Sequence, residues 1–315
     1  MKTKKWLALL LAILLMLCAC SCDSGSRGGG GRSSGSDTAS PLLYKITDDD
    51  GNVVWLLGSI HVGKDEFYPL PDYITDALEG ADAVAVEYDV IAANKNIQAL
   101  YSSQQKCKYS YGDSIRNHIP ESLYEKAVEE LKDLGIYSST YNSYIPAFWS
   151  ILIEQSRFPD GAMDLGVDRH IINTAYDLDL PIYDIESADL QYAMLASFSE
   201  ELQVLLLEMT LKNSASEYRR NLDRLMDAWL SGDKEGIYDY VCRVPDGLTD
   251  EEEELYEEYL KKSLTNRDEG MTDFIIDALD DGEEVFVCVG AAHVVGDGGI
   301  IDQLRDAGYT VKLVK

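Results

Sequence analysis

Short apolar runs and longer amphipathic stretches alternate along this 315-residue chain. Val-Val-Trp-Leu-Leu at 53–57, Ala-Val-Ala-Val at 83–86 and Val-Phe-Val-Cys-Val at 285–289 are short, apolar and rich in β-branched residues. Together with the apolar run 180–186 they read as strands of a sheet. Before the first of them, the apolar residues at 42–46 and the turn sequence Asp48-Asp49-Asp50-Gly51-Asn52 predict a β-hairpin. Apolar residues at helical spacing run through 123–134, 145–153, 204–211 and 218–230, and further helices are expected from Pro71 and over 168–175. The acidic run at 250–254, after Thr249, fits the first turn of another helix. The last stretch predicts a strand, a Gly-rich loop at 296–299, a helix over about 300–307 capped by Gly308, and a strand at 309–314. The pattern is that of an α/β unit with a largely helical insertion between its first and last β segments.

The chemistry collects where the strands end. Gly58-Ser59-Ile60-His61 and Gly290-Ala291-Ala292-His293 are both Gly-x-x-His, and each directly follows an apolar run. Half of the four histidines therefore sit in one context, at strand ends, where open α/β sheets place their ligand sites. Gly58 and Gly290 would let the backbone turn sharply or approach a bound group. Glu87 ends the third apolar run, and Glu186 ends the run that begins at Leu180. Two imidazoles and one carboxylate form a ligand set that catalytic metal centres use, here His61, His293 and Glu87. The plainer alternative is that each histidine only caps its strand. Glu186 and Asp168 are candidates for groups that orient a histidine, or for simple caps. His118 and His170 fit no motif, and His170 is expected at the surface.

Composition narrows the function classes. Formal net charge is −29, which argues against nucleic-acid binding and against attraction to anionic lipid head groups. The basic start Met1-Lys2-Thr3-Lys4-Lys5 and the apolar stretch 6–17 read as an export leader over 1–19. Leu17-Cys18-Ala19-Cys20 has the form of a lipoprotein processing site, with Cys20 as the lipidated first residue. Residues 20–40, rich in Gly and Ser, would tether a folded domain 41–315 to the outer face of the cell membrane by that lipid alone. Cys107, Cys242 and Cys288 are an odd number with no Cys-x-x-Cys pair. They give no disulfide framework, and a bond between Cys107 and Cys242 is left open.

Taken in order, these segments resemble the TraB/GumN family, which includes the PrgY pheromone-shutdown proteins and the animal Tiki proteins. The resemblance rests on 56–63 with 67–71, on Val86-Glu87, and on Gly166-Val167-Asp168 followed by 181–186 with Gln191. It continues through Asn266-Arg267-Asp268 with Met271 and through 289–296. Asp268 departs from the Arg-Asn-x-x-Met stretch of the family. The resemblance implies a central mixed sheet flanked by helices. Tiki-like members imply a metal-dependent peptidase with a divalent ion (Mn, Co or Zn) on the two histidines and the glutamate. Glu87 would complete the coordination or act as general base on a water, and Arg267 would steady an oxyanion or form a structural ion pair. Pheromone-shutdown members imply instead a module that captures a peptide or small ligand and so lowers a signal.

Overall fold

The computed structural model describes residues 39–314; the leader, Cys20 and the tether as far as residue 38 lie outside the described residues. The hairpin forms as expected. β1 (Leu43–Thr47) pairs antiparallel with β2 (Val53–Ser59), with Leu43 opposite Leu57. Its turn is held by the Asp48 carboxylate, which accepts from the Gly51 and Asn52 amides at 2.7 and 2.8 Å. Gly51 has φ +92°, a conformation a side chain would strain. After α1 (Asp72–Gly80), β3 (Ala83–Val86) enters the sheet, followed by α2 (Val90–Lys95) and α3 (Ile97–Gln104). Next come α4 (Glu121–Asp133), α5 (Pro146–Arg157) and α6 (Val167–Asp177). β4 (Ile182–Asp184) then precedes α7 (Ala188–Ala196), α8 (Glu200–Lys212), α9 (Ala215–Ser231) and α10 (Lys234–Val241). α11 (Asp250–Leu260) and α12 (Asn266–Asp281) lead to β5 (Val285–Gly290), α13 (Ala291–Val295), α14 (Ile300–Asp306) and β6 (Thr310–Leu313).

The strands form one six-stranded sheet in the order β4-β3-β5-β2-β1-β6. β4, β3, β5 and β2 run parallel, and β1 is antiparallel to both β2 and β6. The fold is thus α/β, a mixed sheet flanked by helices. β3 and β5 are buried along their whole length, which is why their sequences are unbroken apolar runs without alternation. The terminal strand β6 does not join β5, because both sides of β5 are taken by β2 and β3. It crosses to the far edge and pairs with β1.

Local chemistry sets the ends of the helices. Thr249 caps α11 with a reciprocal Glu252 contact, so the acidic run 250–254 is that helix's first turn. α9 begins with the same device at Ser214 and Glu217. Cys107, Cys242 and Cys288 are buried free thiols. The first two donate to the Tyr192 and Ala292 carbonyls, so the Cys107–Cys242 bond left open by the sequence is not formed. His170 is not on the open surface: its ring is half-buried 4.3 Å from Tyr68. His118 lies stacked on Tyr109, with its two ring nitrogens against Asp113 and Glu200 at 2.9 and 3.0 Å.

Helix α5 carries Glu154 into the packed interface with α8, where it accepts from the Thr210 hydroxyl at 2.8 Å. Burial pushes its carboxyl up to about 8, against the opposing pull of the Thr210 hydrogen bond and the Arg157 charge. The folded chain therefore keeps a proton that the unfolded chain loses near the ordinary glutamate value. Stability is full below that ordinary value and falls as pH rises toward about 8, by at most about 1.4 kcal/mol per pH unit. Urea unfolding at pH 5 and pH 8 checks this. The loss between the two should shrink in Glu154→Gln, and an unchanged difference would refute it.

Candidate active site

Four ionisable side chains leave the C-terminal ends of the four parallel strands in the order of the sheet. They are Glu186 after β4, Glu87 after β3, His293 after β5 and His61 after β2. Ser59 lies opposite Gly290 in the β2–β5 register, so the two Gly-x-x-His segments leave the sheet side by side.

Glu87 is the most heavily engaged of the four. Its Oε1 accepts from the Gly290 amide at 2.8 Å, and its Oε2 from Arg267 Nη2 at 2.6 Å and Gln191 Nε2 at 2.9 Å. Burial alone would raise its carboxyl. The Arg267, His293 and His61 charges and the Gly290 amide outweigh that and hold it far below the usual range. Arg267 also reaches Glu186 through Nε and Nη2, both at 2.7 Å, and donates Nη1 to the Ser263 carbonyl at 3.1 Å. These bonds use four of the five guanidinium N–H groups. The guanidinium is in a structural ion pair, with one N–H left for any further acceptor.

Arg267 and its neighbour Asp268 are both buried, although consecutive helical residues point about 100° apart. A π-helical turn at Lys261–Thr265 joins α11 to α12 just before them and brings this part of the chain against the strand ends. Asp268 Oδ1 meets His293 Nδ1 at 2.5 Å. His293 is wholly buried, and its Nε2 has no hydrogen-bond partner. His61 has a similar arrangement: Asp168 Oδ2, from α6, stands 3.1 Å from its Nδ1, near enough for an ion pair but not aligned as a hydrogen bond. Burial favours the neutral His61 ring, but the Asp168 and Glu87 charges prevail and its pKa is raised.

Neither Gly58 nor Gly290 needs a left-handed backbone. Gly58 is required for close approach, since a Cβ there would lie 3.1 Å from the Ala291 Cα at the start of α13. The tighter constraints are around His61. A Cβ on Gly166 would stand 2.6 Å from the His61 carbonyl oxygen, and one on Gly63 1.9 Å from that of Leu165. The site is nearly sealed. One space of about 10 Å³ is bordered by Ser59, His61, Glu87, Asp168, Gln191 and Cys288. Another of about 20 Å³ lies among His61, Leu225, Val241 and Gly290 to Ala292. Each is the size of roughly one water.

The residues suit a metal in their donor chemistry. A buried imidazole nitrogen with no partner, backed by a carboxylate on the other nitrogen, is how histidine ligands are oriented. Yet among the described residues no three His, Cys, Asp or Glu side chains are disposed to hold an ion as they stand. Sequence reasoning passed over Asp268 as a mere departure from a motif.

Fold and site together define an α/β protein with a buried carboxylate–arginine–histidine network at the C-terminal edge of its parallel strands. The chain belongs to the TraB/PrgY/gumN family, which it matches over residues 42–313. It is similar to the uncharacterized protein YbaP of Escherichia coli K12, 25% identical over 255 residues, 79% of this chain and 87% of that protein. The same figures hold for YbaP of Shigella flexneri.

Removing the guanidinium should be severe, since it leaves Glu87 and Glu186 buried and unmatched. Arg267→Ala is expected to cost about 3–5 kcal/mol in denaturant unfolding. Arg267→Lys should recover little, because one ammonium cannot span both carboxylates as the planar fork does. A loss below about 1 kcal/mol would show that the network is not holding charge in the fold.

Proposed function

We propose that the chain is a metal-assisted hydrolase acting on peptides or other small exported substrates, with His61, His293 and Glu87 as its centre. One observation carries this reading: the buried, partnerless Nε2 of His293, fixed in place by Asp268. The balance of charge supports it. Glu87, Glu186, Asp168 and Asp268 have side chains no more than a tenth exposed, and only one guanidinium lies among them. Neutral imidazoles leave a formal excess of negative charge, which a divalent ion such as Mn²⁺, Co²⁺ or Zn²⁺ would relieve.

When bound, such an ion supplies Lewis acidity toward a carbonyl group and a water. His61 and His293 would hold it through the nitrogens that face away from Asp168 and Asp268. Glu87, kept ionised by Arg267 and the Gly290 amide, suits the role of anionic partner to the cation better than that of proton acceptor. Glu186 secures Arg267. The lipoprotein features belong to the same proposal: export, processing ahead of Cys20, and anchoring by lipid on the outer face of the membrane. Among the described residues no helix is long and apolar enough to cross a membrane.

A second reading is a module that binds a peptide or small ligand without chemistry. It is favoured by the engagement of every Glu87 oxygen and of nearly all the Arg267 donors.

The two readings part in one experiment. The purified chain, supplied in turn with Mn²⁺, Co²⁺ and Zn²⁺, is expected to take up metal stoichiometrically and to cleave members of a peptide library. His293→Ala should lose the metal and nearly all turnover, a drop on the order of 10²-fold or more. Asp268→Asn should weaken metal uptake by about 10–100-fold. Wild-type chain that takes up no metal and cleaves nothing, while still binding peptides, would overturn the hydrolase reading in favour of the binding module.

Anchoring is tested separately. Cys20→Ala should leave the leader uncleaved or release the chain from the membrane fraction. Normal processing and normal fractionation of that variant would rule out lipidation at Cys20.

A further inference from the structure

A groove of about 550 Å³ lies between α9, α10 and the loop that follows α10. That volume is within the range of small-ligand sites, whereas the spaces around His61 admit one water each. The groove and the inner space beside His61 share Leu225 as a wall. The helices that form the groove also grip both Gly-x-x-His segments. From α9, Trp229 Nε1 donates to the Gly58 carbonyl at 2.7 Å. At the end of α10, Cys242 Sγ donates to the Ala292 carbonyl at 3.7 Å, and Tyr238 donates to Asp297 just past α13 at 2.9 Å.

The groove has a definite charge pattern. Arg224 and Arg243 line it together with Asp227, Asp233, Asp239 and Asp246, a formal excess of two negative charges. Asp227 is taken by Lys64 at 2.6 Å, and Asp233 caps α10 through the Gly236 amide. Asp239 pairs with Arg243 at 3.0 Å across a half-exposed contact that solvent and ligand can compete for. The whole chain, at −29, adds a negative field that draws cations toward such a cleft.

We propose that this groove is the subsite that receives the substrate of the centre described above, and that the ligand it takes is a basic peptide segment. This rests on the hydrolase reading for the word substrate, but the binding itself does not. Lysine or arginine side chains meet Asp239 and Asp246, the peptide backbone lies between the two helices, and Leu225 is the side chain that must move aside for the segment to reach His61.

The test is fluorescence anisotropy on the purified full chain at low salt, with EDTA present so that neither metal nor turnover enters. The probe is a labelled octapeptide of alternating Lys and Ala, set against its Glu and Ala counterpart. The Lys peptide should bind and the Glu peptide should not. Asp239→Asn with Asp246→Asn should weaken binding by about five- to tenfold. Asp250→Asn with Glu251→Gln, an equal loss of charge on the first turn of α11, should leave it unchanged. Arg243→Glu should tighten it, a gain that misfolding cannot produce. No binding, equal binding of both peptides, or equal weakening by the α11 pair would overturn the proposal. Binding with this pattern but without cleavage when metal is restored would sink only the hydrolase reading and leave the groove standing.

Discussion

The burial of Glu87 and Glu186 at the ends of neighbouring strands is the constraint on which the rest of this structure turns. Two ionised carboxylates cannot be taken from water side by side without a cation between them. Arg267 is that cation, and its planar fork reaches both at 2.6–2.7 Å. To deliver it, the first turn of α12 must sit beside the residues that follow β3 and β4. The Gly290 amide and Gln191 then add two more bonds to Glu87 and tie in β5 and α7. Elements far apart in sequence are thereby fixed relative to one another by a few charge-assisted hydrogen bonds, of the kind that gain most from a low-dielectric interior. Hydrophobic packing builds the sheet and its helical layers. This network fixes which strand ends face one another.

Much of the fold was legible because the central strands β3 and β5 are buried on both faces and stop abruptly. A run such as 285–289 admits no polar residue, so the first residues after it stand out. The hairpin, most of the helices and the acidic first turn of α11 followed from patterns of a few residues. The destination of β6 did not. A strand's own sequence records whether its faces are buried, but not which neighbours have already filled the sheet. The same limit hid Asp268. Nothing local links it to His293, twenty-five residues on, and the π turn that brings it inward leaves no periodic trace. Gly166 was likewise silent about its reason, which is the His61 carbonyl 2.6 Å from where a Cβ would sit.

A nearly closed site is a physical consequence of the same economy. Ionic hydrogen bonds are strong where water is excluded, so the network favours the tight packing that leaves only water-sized spaces around His61. Any larger ligand must then approach from outside the network. The α9–α10 pair is the place where an outer opening and the inner space share a wall, and both helices hold the backbone of the histidine segments by hydrogen bonds.

The two histidines are not equivalent, and their difference points to where the site can adjust. His293 is wholly buried, on a helix that starts at the last residue of β5, with Asp268 at 2.5 Å. Its ring is enclosed on all sides and tied to Asp268 through Nδ1. His61 is on an irregular segment past β2, with 12% of its side chain exposed and Asp168 at 3.1 Å without hydrogen-bond alignment. Its contact with Asp168 is longer than that of His293 with Asp268, so the Asp168 charge holds the ring less tightly. The raised pKa of His61 has the same origin, a cationic ring being one way to answer the surrounding carboxylates. A bound cation would answer them in another way and requires the neutral ring, so the two states compete for the same negative charge. His293 is thus the more tightly held of the two histidines, and His61 the one with the looser contact to its carboxylate.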